Sequence, residues 1–476
     1  MRGLASIIHH FIIIVIIIFL TGCTLGPNFK KPQVETPVEY RDTDSLIIDT
    51  LRVDTLTNLK WWELFGEPVL DSLVKYALQN NKDLLIAASR IEEARALYGF
   101  TKADIYPRLD LQAGASRGNF PGGLIQTETE ENNFFISPIL SWEIDFWGKY
   151  RRANEAAKSE MLASLYSYHT VQLGLISEVV STYFFLLDYH RRLDISKQTL
   201  ESRLKGLDII QKRFDKGIIP EIDLNQAQIQ KEIAESSIPV YERLISLTEN
   251  ALSILLGNLP TNISQGKDLN DYGIPPEIPA GLPSSLLERR PDIIQAQYQL
   301  KAQNARIGVA TAQLLPSISL TALFGATSNE LSTLLEGDPA WSIGGTLLGP
   351  LFSFNKNRRR IDIEEERTRQ ALLNYENTVL TAFREVEDAL VQLATYKKQL
   401  TSVERKYRAA ANAEKLSINR YDKGVTSYLE VLETQRQLFS VQLELSELTQ
   451  QYFNSYVKLY KALGGGWLAI NGTDQK

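Results

Sequence analysis

Groups able to do covalent or metal chemistry are scarce in this sequence: one Cys, Cys23, and four His among 476 residues. A metal cage needs three or four convergent ligands, and a lone thiol with scattered imidazoles does not supply them. One Cys forms no internal disulfide. His169 and His190 lie 21 residues apart on one helical stretch without a nearby Cys and read as packing or surface histidines. No Gly-x4-Gly-Lys-Ser/Thr loop or nucleophile motif is visible, so the sequence points to no enzyme, no cofactor, no metal and no nucleotide-driven step.

Cys23 suits a different chemistry. Arg2 precedes an apolar run from Phe11 to Leu20, and Thr21-Gly22 leads straight into the thiol. The run falls short of the about 20 residues that span a bilayer and reads as a signal peptide, residues 1–22, cut before a lipid-modified Cys23. Two kinds of acyl attachment at one residue anchor far more firmly than a single chain. Thr24 follows, where an inner-membrane retention signal would place Asp.

The elements that must position any further site come from a duplication. Arg213-Phe214-Asp215-Lys216-Gly217 recurs as Arg420-Tyr421-Asp422-Lys423-Gly424, and Asp83, Gly99, Ala103, Pro107 and Lys149 match Asp292, Gly308, Ala312, Pro316 and Lys356. A period near 207 residues is too long for a solenoid and means two domain-sized copies. Composition agrees with a packed chain: 44% hydrophobic, 23% charged, formal charge −6. Scattered charge of that sign excludes the concentrated basic surface of a nucleic-acid binder.

Each copy has the same order of patterns. Helical periodicity runs from Leu70 to Ala103 and from Asp292 to Leu314. Strict alternation follows: Leu109, Leu111, Ala113 and Ala115 against Asp110, Gln112, Gly114 and Ser116, then a return through Phe134, Ile136, Leu140, Trp142 and Ile144. The second copy alternates from Ile318 to Phe324 and returns less cleanly between Trp341 and Phe352, where Gly and Pro intrude. Residues 149–216 and 356–423 then contain no Pro, and at 1.5 Å per residue each makes a helix of about 100 Å. Lys216-Gly217 and Lys423-Gly424 are helix stops, and return helices run from about Glu221 to Leu256 and Ser427 to Leu463.

Four amphipathic strands of about 10 residues have the length of outer-membrane strands but cannot close a barrel alone, and open edges in lipid cost several kcal/mol per unpaired group. Three copies supply twelve strands, inside the observed range. A soluble sandwich capped by helices does not accommodate helices of that length.

Cys23-Thr-Leu-Gly-Pro-Asn-Phe-Lys-Lys-Pro32, Ala280-Gly-Leu-Pro-Ser-Ser-Leu-Leu-Glu-Arg-Arg-Pro-Asp-Ile293 and Ala462-Leu-Gly-Gly-Gly-Trp467 resemble signature stretches of TolC-like outer-membrane factors, in the lipoprotein branch that serves tripartite RND efflux pumps. The resemblance implies a mixed α and β membrane protein, a homotrimeric 12-stranded outer-membrane β-barrel continuous with a 12-helix periplasmic α-barrel. It implies an N-terminal anchor and equatorial segment at 23–62, a first repeat at 63–256 (strand hairpin 107–147, helical hairpin 149–256) and an equatorial linker at 257–290. A second repeat at 291–463 (hairpins 316–354 and 356–463) and a C-terminal equatorial segment at 464–476 complete the chain. The implied partners are a periplasmic adaptor, an inner-membrane RND transporter and outer-membrane lipid.

In this reading the helix stops form the periplasmic tip. Asp223 and Glu430 occupy equivalent positions just beyond them, and Glu433 lies one helical step further. Repeated three times around an axis, such carboxylates form anionic rings. By resemblance, Leu429 is a hydrophobic constriction and Glu433 an acidic ring, with Glu430 and Asp223 beside them. Negative charge near a helix start is also favourable in itself. Arg213, Asp215, Arg420 and Asp422, in the last helical turns beside Gly217 and Gly424, read either as solvated charges or as groups that hold the tip closed or meet the adaptor. Trp142, Trp147 and Trp341 suit interface girdles or packing in the collar, and Arg358-Arg359-Arg360, with its counterpart Arg151-Arg152, reads as a solvated helix start or a periplasmic anchor. Two alternatives are a conduit for type I protein secretion and a periplasmic coiled-coil scaffold without a pore.

Overall fold

The computed structural model describes residues 24–37, 40–41, 65–118, 131–272 and 286–465. The signal peptide, Cys23, most of segment 23–62, the turn around Pro121, the linker from 273 to 285 and Trp467 lie outside the described residues. Two compact units divide the chain: Met1–Gln33, Arg90–Leu165 and Gln295–Glu376 in the first, Val34–Ser89, Tyr166–Ile294 and Asn377–Lys476 in the second.

The first unit holds a sheet of β1 (Arg108–Gly118), β2 (Glu131–Ile144), β3 (Ser317–Ser328) and β4 (Ala340–Leu348). The strands lie in the order β1-β2-β3-β4, each antiparallel to the next, so the two copies contribute one hairpin each and pair through β2 and β3. Register puts like with like. Leu109, Leu140, Ala322 and Ile343 form one cross-strand row, and Ile144, Ile318 and Leu347 another. On the opposite face Arg108, Ser141, Thr321 and Gly344 line up, as do Glu143, Ser319 and Thr346. Period-two alternation thus yields one apolar face and one mainly polar face, the latter interrupted by Phe135, Ile139 and Leu323. Gly114 sits where a Cβ would lie 2.6 Å from the Phe135 ring, which fills the gap in its row. Among the described residues β1 and β4 each pair on one side only, leaving two open edges.

The helices are α1 (Pro68–Asn80), α2 (Lys82–Ala103), α3 (Lys149–Asp215), α4 (Glu221–Leu255), the short α5 (Leu286–Arg289), α6 (Pro291–Ala312), α7 (Lys356–Asp422) and α8 (Tyr428–Ala462). The copies match in length: α3 and α7 have 67 residues each, α4 and α8 have 35 each, all at an offset of 207. The run from Leu70 to Ala103 is two helices, because buried Asn81 leaves the helical path, accepts from the Leu84 amide at 3.0 Å and donates to the Leu255 carbonyl at 2.9 Å. Pro239 stands inside α4.

The core of the second unit is aromatic. Phe184 stacks on Phe453 at 5.0 Å, with Phe65 and Tyr272 edge-on to both. The apolar window of α3 that is long enough to cross a membrane belongs largely to this core: Leu173, Ile176, Val180, Tyr183 and Leu187 are all buried. Each fully buried side chain of this kind contributes about 1.5–3 kcal/mol.

Two histidines share that setting. His169 is buried with Nδ1 at 3.3 Å from the Gln172 amide oxygen, and His190 is half-buried. Burial holds both imidazoles below their ordinary value of 6.5, against a weaker upward pull from Gln172 on His169 and from Glu249 on His190. The unfolded chain therefore binds protons that the folded chain refuses. Their contribution is complete above about pH 6.5 and is lost as pH falls below it. Thermal melts of the full chain should drop in midpoint between pH 7 and 5.5, and His169→Gln should flatten that slope; a pH-independent midpoint contradicts the burial.

Candidate functional site

The two helical hairpins turn in the same way. Gly217 takes φ 71° and Gly424 φ 70°, the left-handed region that a Cβ disfavours. Gly217 N–H donates to the Phe214 carbonyl at 2.7 Å and Ile218 N–H to Arg213 at 3.0 Å; in the second copy Gly424 donates to Tyr421 and Val425 to Arg420, both at 2.9 Å. This double bond pattern caps the last carbonyls of α3 and α7. A Cβ would meet no atom within 4 Å at either glycine, so the constraint is backbone alone. Gly217→Ala and Gly424→Ala should each cost about 1–2 kcal/mol locally. Faster hydrogen exchange at Ile218 and Val425 checks this, and unchanged protection contradicts it.

Behind the turns the hairpins share one small core. Ile210, Leu224, Ala227, Tyr428, Val431 and Leu432 are buried together, with Phe214 and Tyr421 against them. Arg213 lies over the Tyr421 ring at 4.8 Å, joining the two hairpins by a cation–π contact, and Tyr421 packs on Tyr428 at 5.3 Å. Burial pushes the Tyr428 hydroxyl up to about 12, with Arg203 pulling it down and Tyr421 and Asp223 adding to the rise. Asp215 accepts from Gln211 on its own helix at 2.8 Å, and Asp422 is exposed at the end of α7.

The carboxylates separate into two kinds. Glu430 turns back on its own hairpin, 3.5 Å from Arg420 and bonded to the Thr426 hydroxyl. Glu433, nearly one turn further along α8, is bonded to Arg436 and accepts from Gln437 at 2.9 Å. Leu429 is 59% exposed while its neighbours Tyr428, Val431 and Leu432 are buried. Asp223 is half-buried in the first turn of α4. Sequence reasoning missed Arg203, which is buried and bonded to the Gln435 amide, and the Ser417 to Thr434 hydroxyl pair at 2.7 Å. Neither carries a local pattern, since the partners sit on different helices.

The quoted motifs have structural work of their own. Arg152, 4% exposed, donates to the carbonyls of Leu25 and Gly26 and to Asn28, while Gly26, at φ 87°, lies where a Cβ would come 2.4 Å from Gly308. In the second unit Arg290, 6% exposed, grips Asp292 at 2.7 and 3.0 Å, Glu385 at 2.6 Å and the Ala462 carbonyl at 3.0 Å.

Residues 73–258 and 282–465 match the outer membrane efflux protein family. The chain belongs to that family. It is 36% identical to the solvent efflux pump outer membrane protein SrpC of Pseudomonas putida over 95% of this chain and 97% of that one. It is 31% identical to the cation efflux system protein CusC of Escherichia coli K12 over 94% and 97%. Among solved structures, the CmeC outer membrane channel of Campylobacter jejuni superposes with a TM-score of 0.85 at 29% identity, covering 93% of this chain and 95% of that one. The outer-membrane channel OprN superposes with a TM-score of 0.87 at 28% identity, covering 94% and 100%. The fold class expected from the sequence, that of the trimeric outer-membrane channels, is the family's fold, and this outer membrane efflux protein is an outer-membrane channel of an efflux system. Each matched segment covers one copy of the duplication.

Proposed function

We propose that three copies of this outer membrane efflux protein join β1 of one to β4 of the next and close a twelve-stranded barrel that conducts small molecules passively to the cell exterior. The observation that carries the closure is the sheet itself: two open edges beside rows that are apolar on one face and polar on the other. Lipid tolerates the apolar rows and no open edge, and water in the lumen tolerates the polar rows. Cys23 anchors the chain by lipid, as the name of the outer membrane lipoprotein SilC of Salmonella typhimurium suggests for a relative at 31% identity.

In this reading the chain catalyses nothing. A periplasmic adaptor and an inner-membrane RND transporter supply the energy. Leu429 and Glu433 form the constriction at the tip, with Glu430 and Asp223 behind it, and Arg213, Asp215, Gly217, Arg420, Asp422 and Gly424 form the rim that the adaptor meets. The named relatives serve efflux of solvents, toluene among them, and of cations, two classes with little chemistry in common, so selection rests with the pump rather than with this wall. The same names favour a pump over a protein-secretion conduit. Reconstitution of the purified full chain in planar bilayers tests the reading: discrete, cation-preferring conductance steps are expected, and silence at every voltage contradicts it.

A further inference from the structure

The duplication makes each copy a control for the other at the base of the sheet. In the first copy Glu143 and Asp145 stand just before α3 and answer its basic first turn. Lys149 is 2.8 Å from Glu143, Arg151 is 3.1 Å from Asp145, and Arg152 pairs with Glu155 at 2.8 Å. Trp147 is tied by its indole N–H to the Pro316 carbonyl at 2.8 Å.

At the offset of 207 the second copy keeps the cations and loses two of the three partners, the Arg152–Glu155 pair alone recurring as Arg359–Asp362. Pro350 and Phe352 replace Glu143 and Asp145, Phe354 replaces Trp147, and the following turn carries Lys356, Arg358, Arg359 and Arg360. Lys356 and Arg358 meet no carboxylate among the described residues. Arg359 reaches exposed Asp362 at 3.0 Å on its own helix, and Arg360 bonds the Gln313 amide. A helix start gains nothing from cations, so helix stability does not account for the run. Directly before it Leu351, Phe352 and Phe354 are 104, 77 and 85% exposed. The two phenyl rings lie 4.4 Å apart, and Phe354 and Asn355 hold positive φ of 45° and 64° that fix the turn between them and the cations.

An exposed aliphatic-aromatic cluster followed at once by Lys356 and Arg358 without a carboxylate and by Arg359 in an exposed pair matches the boundary between acyl chains and anionic headgroups. We propose that Leu351, Phe352 and Phe354 enter the periplasmic leaflet of the outer membrane and that Lys356, Arg358 and Arg359 bind the phosphates of anionic phospholipids there. The site belongs to the second copy alone. The inference rests on the outer-membrane placement of this family.

Native mass spectrometry of the full-length protein in detergent, titrated with phosphatidylglycerol or phosphatidylcholine, tests it. The wild type should retain phosphatidylglycerol preferentially. Lys356→Gln with Arg358→Gln and Arg359→Gln should weaken that preference about tenfold or more, and Arg358→Gln alone should weaken it partly. Lys205→Gln with Lys212→Gln, which removes two exposed cations already paired on α3, should leave it unchanged. Equal retention of the two lipids, a preference untouched in the triple variant, or dissociation of the triple variant into single chains overturns the proposal. The last result assigns the cations to a neighbouring copy. Bilayer conductance reports separately on the channel reading: a triple variant that conducts normally but has lost the lipid preference is the expected pair of results.

Discussion

Single channels carrying Leu429→Ala together with Glu433→Ala should pass a current severalfold larger than the wild type and prefer cations less. Leu429 and Glu433 are four residues apart, one turn along the same face of α8, and that face points away from the core formed by Tyr428, Val431 and Leu432. If the proposed constriction holds, three copies bring three leucines and three carboxylates around one axis. Truncating the leucines widens the opening, and removing the carboxylates removes the field that draws cations. Because both side chains lie outside the buried cluster, the variant should assemble normally. Glu430→Gln should behave differently, loosening the contact with Arg420 and Thr426 within one hairpin. Unchanged conductance and unchanged cation preference in the double variant contradict the constriction.

Asp188→Ala should produce a large loss of stability in the helical part. Asp188 is 1% exposed, joined to Arg192 at 2.9 Å on α3 and to the Ser446 hydroxyl at 2.6 Å on α8. Burial raises its carboxyl above the usual carboxylate range even with Arg192 and Ser446 pulling it down, a sign of how dry the site is. Removing it leaves a largely buried guanidinium with Glu447 at 3.3 Å as its remaining ion-pair partner. Breaking such a pair costs about 3–5 kcal/mol. Replacing both residues, Asp188→Leu with Arg192→Leu, should recover much of the loss, because an apolar pair has no unpaired charge to bury. Thermal melts of the single and double variants measure this, and a midpoint for Asp188→Ala within error of the wild type contradicts it.

Most of the architecture was legible because it rests on local rules. The absence of Pro from 149–216 and 356–423, the Lys-Gly stops and the alternation from Leu109 to Ser116 each act within a few residues, and the helices and strands formed where those rules put them. What escaped was set by distant partners. Asn81 breaks a periodic helix because the Leu255 carbonyl, 174 residues away, receives its amide. Gly257 and Gly464 cap the return helices at φ 76° and 78°, but their glycines lie in stretches read as linker and signature rather than as stops. The tip was half legible. The equivalence of Asp223 and Glu430 follows from the repeat, yet the pairing of Glu430 with Arg420 depends on how the turn folds back. The basic runs showed the same limit, since their likeness hid that one is neutralised by Glu143 and Asp145 and the other is not.

The central claim is that one chain supplies a third of a closed sheet. Light scattering or native mass measurement of the detergent-purified full chain reads the copy number directly. Three copies per particle, holding together in mild detergent, are the predicted result; a monodisperse single chain that stays soluble without detergent contradicts the account.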